Sequence, residues 1–251
     1  NTLIRTILLN ITYLYFSVME LTAKELALRF NPFLIVFARY LSQLILLLII
    51  FNKQLKTHLK SNHKPLQILR GALLMITTCF MFTGLAYLQF AENISIYMIG
   101  PVITTILAIL ILKEKISFTQ ILVVIIGLIG ALIIASPNKG AFNYAVIFPF
   151  LAALCFAFFT ISTKFLNTSD SNQTTLLFTA ITGTILSLPF IIYFWKWPNL
   201  SDTILMFCLG FLATAGHFLF IEALKVINAS FAAPFVYLTV LLAAFWGYIL
   251  Y

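Results

Sequence analysis

Long apolar runs separated by short polar breaks occupy almost the whole chain. Nine runs are long enough, or nearly long enough, to cross the hydrocarbon core of a bilayer, and the breaks contain charged residues, Pro, Gly and Asn. The runs cover 4–26, 33–51, 68–90, 94–112, 118–136, 143–165, 174–195, 203–224 and 229–250. They show no inward/outward alternation, so we predict helices rather than the strands of a barrel. The pattern indicates an all-α membrane protein.

Composition and charge narrow the function classes. Hydrophobic residues make up 62% and charged residues 9% of the chain, far from the balance of a soluble protein. The net charge of +8 comes from residues in the short breaks rather than along one polar face, so no nucleic-acid partner is expected. Cys79, Cys155 and Cys208 lie inside apolar runs without C-x-x-C spacing, which favours small buried side chains over a disulfide or a metal site. We expect no metal and no cofactor.

The distribution of Lys and Arg predicts the orientation. With the N-terminus inside, ten basic residues flank the inner ends of the runs and four flank the outer ends. The inner set is Arg5, Lys53, Lys56, Lys60, Lys64, Arg70, Lys113, Lys115, Lys164 and Lys225, and the outer set is Lys24, Arg29, Lys139 and Lys196. This bias favours a cytoplasmic N-terminus. The first run lacks a small-residue cleavage site, so we interpret it as a retained span.

The second half of the chain repeats the first. The segment 16–24 returns as 156–164, shifted by 140 positions, and Gly71 and Leu85 match Gly210 and Leu224 with a shift of 139. The repeat unit is therefore five spans long, and an odd number of spans inserts the two copies in opposite orientations. We predict a ten-helix bundle of two inverted five-helix repeats, over 1–138 and 139–251, with nine spans in this chain and a tenth expected beyond residue 251.

Ionisable side chains inside the runs are the first candidates for chemistry, because each is costly in lipid. Glu20 and Lys24 lie four residues apart on one helix face, a spacing that allows an ion pair. Glu20 is either a site for a substrate amine or a proton, or half of a structural pair. Arg39 either neutralises Glu20, binds an anionic substrate or reaches the outer interface; we assign Lys24 and Arg39 to structural ion pairing.

Polar residues in the kinked runs are the second candidates. His217 lies mid-run and suits proton coupling, although a neutral histidine bonded inside the bundle is an equal reading. Prolines free backbone carbonyls and bend helices, so paired kinked spans favour a midplane site. The candidates for substrate binding here are Tyr97, Thr104, Tyr237 and Asn93, and those for bending are Gly100, Pro101 and Pro234.

The chain resembles the EamA-type members of the drug/metabolite transporter superfamily. The residues that carry the resemblance are 69–71, 84–92, 100–101 and 112–115 in the first half and 222–225, 229–230 and 233–237 in the second. The resemblance implies ten helices with both termini inside and alternating access without ATP hydrolysis. It also implies a central cavity lined by the first, third, fourth, sixth, eighth and ninth helices. No zinc-hydrolase, nucleophile-elbow or phosphate-loop motif is present in the sequence.

The resemblance also bears on the substrate. Glu20 and Lys24 match an acid and a lysine that are common at the end of the first helix in the branch that includes bacterial S-adenosylmethionine uptake carriers. Thr160, which we add to the binding candidates, stands where an acid often occurs in the second repeat of that branch.

We therefore expect a multi-pass transporter of the bacterial inner membrane, a monomer or homodimer, that carries a small polar, amine-bearing metabolite such as an amino acid or S-adenosylmethionine. A coupled proton or an exchanged metabolite is the expected co-substrate. The alternatives are a carrier of lipid-linked or nucleotide sugars, a membrane enzyme and a membrane subunit that does not transport.

Overall fold

The computed structural model describes residues 2–135 and 144–250, and in these ranges the secondary structure is entirely helical. The α-helices are α1 (Thr2–Ala27), α2 (Pro32–Phe51), α3 (Leu55–His58), α4 (Lys64–Tyr87), α5 (Phe90–Tyr97), α6 (Gly100–Leu112), α7 (Phe118–Ala135), α8 (Ile147–Leu166), α9 (Asn172–Phe194), α10 (Leu200–Leu224), α11 (Ala229–Ala232) and α12 (Leu238–Leu250). Segments of 3₁₀ helix cover Asn52–Gln54, Tyr144–Val146 and Ala233–Tyr237. The predicted all-α class is confirmed.

Among the described residues, seven helices are long and apolar enough to cross a membrane, and shorter apolar helices cover Phe118–Gly130 and Ala229–Leu242. The predicted spans 118–136 and 229–250 correspond to these shorter helices. The proposed boundary between 138 and 139, the span ends at 136 and 143, and Lys139 lie outside the described residues.

Polar residues in the breaks of the sequence determine where three of the helices begin. The side chain of Asn31 accepts a hydrogen bond from the amide of Phe33, and Pro32 occupies the first turn of α2, where no amide donor is needed. Ser171 and Asn199 cap α9 and α10 in the same way. At these three breaks the cap side chain thus satisfies an amide that the new helix leaves unpaired.

Contacts between the loops define two opposite ends of the bundle. At one end Arg29 bonds to Asp202, and Lys196 Nζ donates to the carbonyl of Arg29 at 2.9 Å. We call this end, with loops 28–31, 88–89 and 195–199, the Asp202 face. At the other end Asp170 accepts from the Gln67 side chain at 2.8 Å, and loops 52–63, 113–117, 167–171 and 225–228 form the Asp170 face.

Two lysines that are 140 positions apart make the same contact at opposite faces. Lys24 Nζ donates to the carbonyls of Leu85 and Leu88 at 2.6 and 3.1 Å, at the end of α4. Lys164 Nζ donates to the carbonyls of Leu224 and Ile227 at 2.8 and 2.7 Å, at the end of α10. The first pair lies at the Asp202 face and the second at the Asp170 face. Helices α1 and α8 therefore run in opposite directions.

The helix packing is nearly unchanged when the two halves of the chain are exchanged. Helix α1 packs along α10, as α4 packs along α8, and α2 packs against α9. Helix α2 contacts α10, and α4 contacts α9. The first long helix of each half, α1 or α8, thus lies against the third long helix of the other half, α10 or α4.

Candidate functional site

A cavity lies between α1, α2, α4, α5, α8, α10 and the segment around α12. The space between them is partly open to the outside of the bundle. Its lining is Tyr13, Phe16, Met19, Glu20, Arg39, Leu74, Thr77, Thr78, Met81, Phe82, Tyr97, Phe156, His217, Val236 and Thr239. Helices α1, α4, α5, α8, α10 and the segment around α12 correspond to the first, third, fourth, sixth, eighth and ninth helices that the family resemblance implies. Helix α2 lines the cavity in addition. A mostly apolar wall with a few convergent polar groups is typical of a small-molecule site.

Glu20 supplies the carboxylate of the cavity. Tyr13, Phe16 and Glu20 follow one another at helical spacing on α1, which brings all three to the same cavity wall. Glu20 is 9% exposed, and its Oε2 atom is buried without a hydrogen-bond partner. A buried polar oxygen without a partner costs free energy, so a group of this kind requires an explanation in a native structure.

Arg39 and His217 supply the cationic side of the cavity. Arg39, on α2, is 1% exposed and donates from Nη1 to Thr78 Oγ1 at 3.1 Å. Its Nη2 atom lies 3.0 Å from Nε2 of His217 on α10. The guanidinium carbon lies 4.4 Å from the centre of the Tyr40 ring, a cation–π distance. Nε of Arg39 and Nδ1 of His217 are both buried without a partner.

Aromatic rings pack around these polar groups. The ring of Phe16 lies 4.8 Å from that of His217, centre to centre, and the rings of Tyr97 and Phe156 lie 5.8 Å apart. Gly216 permits the first contact, because a Cβ atom there would lie 2.6 Å from Cε1 of Phe16. Such walls are able to stack a flat or cationic ligand while Glu20 and Arg39 orient it.

Comparison with known proteins decides the family. The EamA-like transporter family matches the chain over residues 4–136 and 143–251. The chain belongs to this family. It is thus a multi-pass membrane protein of the EamA type, in a family of transporters.

Individual relatives of this EamA-family transporter carry substrate names. It is similar to the S-adenosylmethionine uptake transporters of Rickettsia prowazekii, with 28% identity over 94% of this chain and 80% of the relative, and of Rickettsia bellii, with 29% identity over 94% and 81%. A riboflavin transporter of Vibrio cholerae is 29% identical over 67% of this chain and 57% of its own length. A solved structure titled "Crystal structure of protein" shares the fold, with a TM-score of 0.81, 14% identity and coverage of 98% of this chain and 87% of that one.

The predicted ion pairing of Lys24 and Arg39 differs from what the structure contains. Lys24 donates to the carbonyls of Leu85 and Leu88, and Arg39 bonds to Thr78 and His217. Neither cation pairs with Glu20 among the described residues. The end of α4 offers Lys24 two carbonyls that the helix itself leaves unpaired, which satisfies the ammonium without a carboxylate.

Four of the predicted binding residues do not line the cavity. Thr160 is buried and donates to the carbonyl of Phe156 in its own helix, and Thr104 is buried outside the lining. Tyr237 donates to the carbonyl of Val124 at 2.9 Å and packs on α7. Asn93 donates to the carbonyl of Met81 at 3.3 Å, between α4 and α5. Of the predicted set, Glu20, Tyr97 and His217 meet in the cavity.

The predicted bending residues lie at two related interruptions. Gly100 and Pro101 begin α6 directly after α5 ends at Tyr97, and Pro234 lies in the 3₁₀ segment Ala233–Tyr237 between α11 and α12. Residues 98 and 237, at the two interruptions, are 139 positions apart. Their role in gating stays a prediction.

Sequence reasoning missed several lining residues. Thr77 and Thr78 on α4 line the cavity, as do Tyr13 and Phe16 on α1. The two residues on α1 were detectable, because they precede Glu20 by seven and four positions and so share its face. The threonines were not, because hydroxyls on apolar helices serve equally well as packing contacts.

Proposed function

We propose that this EamA-family protein is a secondary active transporter of a small, amine-bearing metabolite of the S-adenosylmethionine type, and that it performs no catalysis. The observation that carries the proposal is Glu20: its carboxylate faces an aromatic cavity and has an oxygen without a partner. A cationic ligand group supplies that partner. Family membership and the names of the relatives support the same substrate class.

The chemical groups of S-adenosylmethionine complement the side chains that line the cavity. Its sulfonium and ammonium groups are cations for Glu20, and its adenine ring is flat and able to stack on Phe16, Tyr97 or Phe156. The hydroxyls of Thr77 and Thr78 offer hydrogen bonds to the ribose. An amino acid would use the same cationic contact with less aromatic burial.

The transport mechanism that we propose is alternating access by two inverted five-helix repeats in the bacterial inner membrane, with the N-terminus cytoplasmic. Three observations support it: the lysine contacts repeat at opposite faces, α1 and α8 are antiparallel, and the helices are interrupted after Tyr97 and around Pro234. Rocking of one repeat against the other around a fixed site is the movement such folds favour. The basic residues that determine orientation lie mostly at the Asp170 face, which we assign to the cytoplasm.

The decisive experiment compares Glu20→Gln with Glu25→Gln. Glu25 lies on the same helix, but it pairs with Arg29 and is half exposed, so its substitution is a matched control. We expect Glu20→Gln to weaken S-adenosylmethionine binding about 10- to 100-fold, since a charge-assisted contact is lost, while Glu25→Gln binds like the wild type. Isothermal titration with the purified protein measures affinity, and uptake of labelled ligand into proteoliposomes measures flux.

Two outcomes would contradict the proposal. Normal binding and uptake by Glu20→Gln would remove the role of the carboxylate. Preferential binding of riboflavin, tested as a competitor because one relative carries that name, would replace the cationic substrate by a neutral aromatic one.

A further inference from the structure

We infer that Arg39 and His217 form a carboxylate-binding site in the cavity that Glu20 also lines, so that the ligand is a zwitterion with a free carboxylate. The inference deepens the proposed function and rests on it. It assigns a ligand carboxylate to Arg39, for which the sequence offered both binding of an anionic substrate and a structural role.

The contact between Arg39 and His217 fixes the tautomer of the histidine. A guanidinium donates hydrogen bonds and accepts none, so Nε2 of His217, 3.0 Å from Nη2 of Arg39, must be the acceptor. The ring proton of the neutral imidazole then lies on Nδ1. Nδ1 of His217 and Nε of Arg39 are thus two N–H donors, each buried and each without an acceptor.

Two buried donors on cavity-lining side chains specify the chemistry of the missing partner. A carboxylate accepts from several donors at once and binds guanidinium groups with favourable geometry. Arg39 forms no salt bridge within the described residues, so its charge lacks a counter-ion that a ligand carboxylate would supply.

The second fully buried arginine shows what a structural arginine looks like in this fold. Arg70 donates to Thr163 Oγ1 at 2.6 Å, to Thr179 Oγ1 at 2.5 Å and to the carbonyl of Thr175 at 3.5 Å, and it lies over the Phe159 ring. Its Nη2 atom also lacks a partner, but Arg70 does not line the cavity. Arg39, with one hydroxyl and one imidazole as partners, is the arginine whose position serves a ligand.

The two charged groups together select a ligand with both signs of charge. Glu20 on α1 and Arg39 on α2 line one water-accessible space, and a zwitterion neutralises both. A ligand with only the cation leaves Arg39 buried without a counter-ion, and that penalty lowers its affinity. Free carboxylate and cation therefore both contribute to recognition.

The test compares S-adenosylmethionine with its decarboxylated analogue, which keeps the sulfonium, the amine and the adenosyl group. We expect the wild-type protein to bind S-adenosylmethionine at least about tenfold more tightly, because charge-assisted hydrogen bonds to the carboxylate are lost with the analogue. In Arg39→Gln the ratio of the two dissociation constants should fall to about one, and Arg39→Lys should keep part of the preference.

The outcomes separate this inference from the proposed function. Equal wild-type affinities for the two ligands would overturn the carboxylate site and leave the amine-bearing substrate standing, whatever the variants do. A ratio that is unchanged in a folded Arg39→Gln would also overturn it. Failure of both ligands to bind the wild type would overturn the proposed function itself. Because each ratio is measured within one preparation, the fraction of folded protein cancels.

Discussion

At the scale of single residues, Gly216 decides whether Phe16 is able to lie against His217. A Cβ atom at 216 would approach the Phe16 ring to 2.6 Å, whereas a Cβ atom at Gly130 on α7 would meet nothing within 4 Å. We predict that Gly216→Ala destabilises the protein by about 1–3 kcal/mol through overpacking. Gly130→Ala should be neutral or stabilising by up to about 1 kcal/mol, since alanine favours the helix.

Unfolding of both variants in detergent, followed by temperature or denaturant, checks this prediction. Because Phe16 is a cavity wall, Gly216→Ala should also weaken ligand binding, and Gly130→Ala should not. Equal stabilities of the two variants would show that Phe16 moves away freely and that the packing around His217 is loose.

The residues of the candidate site show which properties the sequence was able to predict. Glu20 was identified because an acid in an apolar run is costly wherever it lies, a property of the residue itself. The bond between Arg39 and His217 joins residues 178 positions apart on different helices, and it depends on how α2 packs against α10. Likewise Tyr237 and Thr104 have the right chemistry for a site but the wrong helix face, which periodicity on uniformly apolar helices does not reveal.

At the scale of elements, Asp170 fastens the loop between α8 and α9 to the beginning of α4. Burial opposes ionisation of this carboxyl group, but hydrogen bonds from Ser61, Gln67 and the amide of Asn62 outweigh it, so the pKa of Asp170 lies below its ordinary value of 3.8. The folded state therefore favours the charged form. Its stabilisation is fully present above the ordinary pKa and is lost as the pH falls through the folded pKa.

We predict that Asp170→Asn lowers the free energy of unfolding at pH 7 by about 1 kcal/mol, a modest value because solvent reaches the carboxyl group. The difference from the wild type should shrink as the pH falls below 3.8 and through the lowered pKa of Asp170, because the wild-type carboxylate then becomes protonated. Equilibrium unfolding across this pH range measures it. Thr168→Val, in the same loop, removes only a local hydroxyl contact to Phe165 and serves as the control. A difference that persists in acid would contradict the role of the charge.

The boundaries of α2, α9 and α10 followed closely from the sequence, and the contacts between elements did not. The breaks before α2, α9 and α10 were predictable because Asn31, Ser171 and Asn199 are good caps and the residues around them are polar. The hydrogen-bond acceptors of Lys24 were not predictable. The i,i+4 spacing favoured Glu20 as its partner, whereas the carbonyls at the end of α4 come close to Lys24 only when the helices pack.

At the scale of the whole molecule, Lys24 and Lys164 fasten the first helix of each half to the third helix of that half, at opposite faces of the bundle. Each ammonium bonds two carbonyls at a helix C-terminus, where a cation is favoured by the helix dipole. Both contacts are present together in the structure, one at each face of the bundle. The two lysines should therefore act on different faces.

We predict that Lys24→Met speeds amide hydrogen exchange about tenfold or more around Leu88, and that Lys164→Met does so around Ile227, since each variant loses charge-assisted hydrogen bonds. The amides of Leu88 and Ile227 are bonded to Gly84 and Ala223, so their exchange reports opening of the helix end. Mass spectrometry of the exchanged protein in detergent gives both regions in one experiment, and each variant is the control for the other. If both substitutions loosened the same face, the two contacts would belong to one rigid network, and the two faces of the bundle would not open independently.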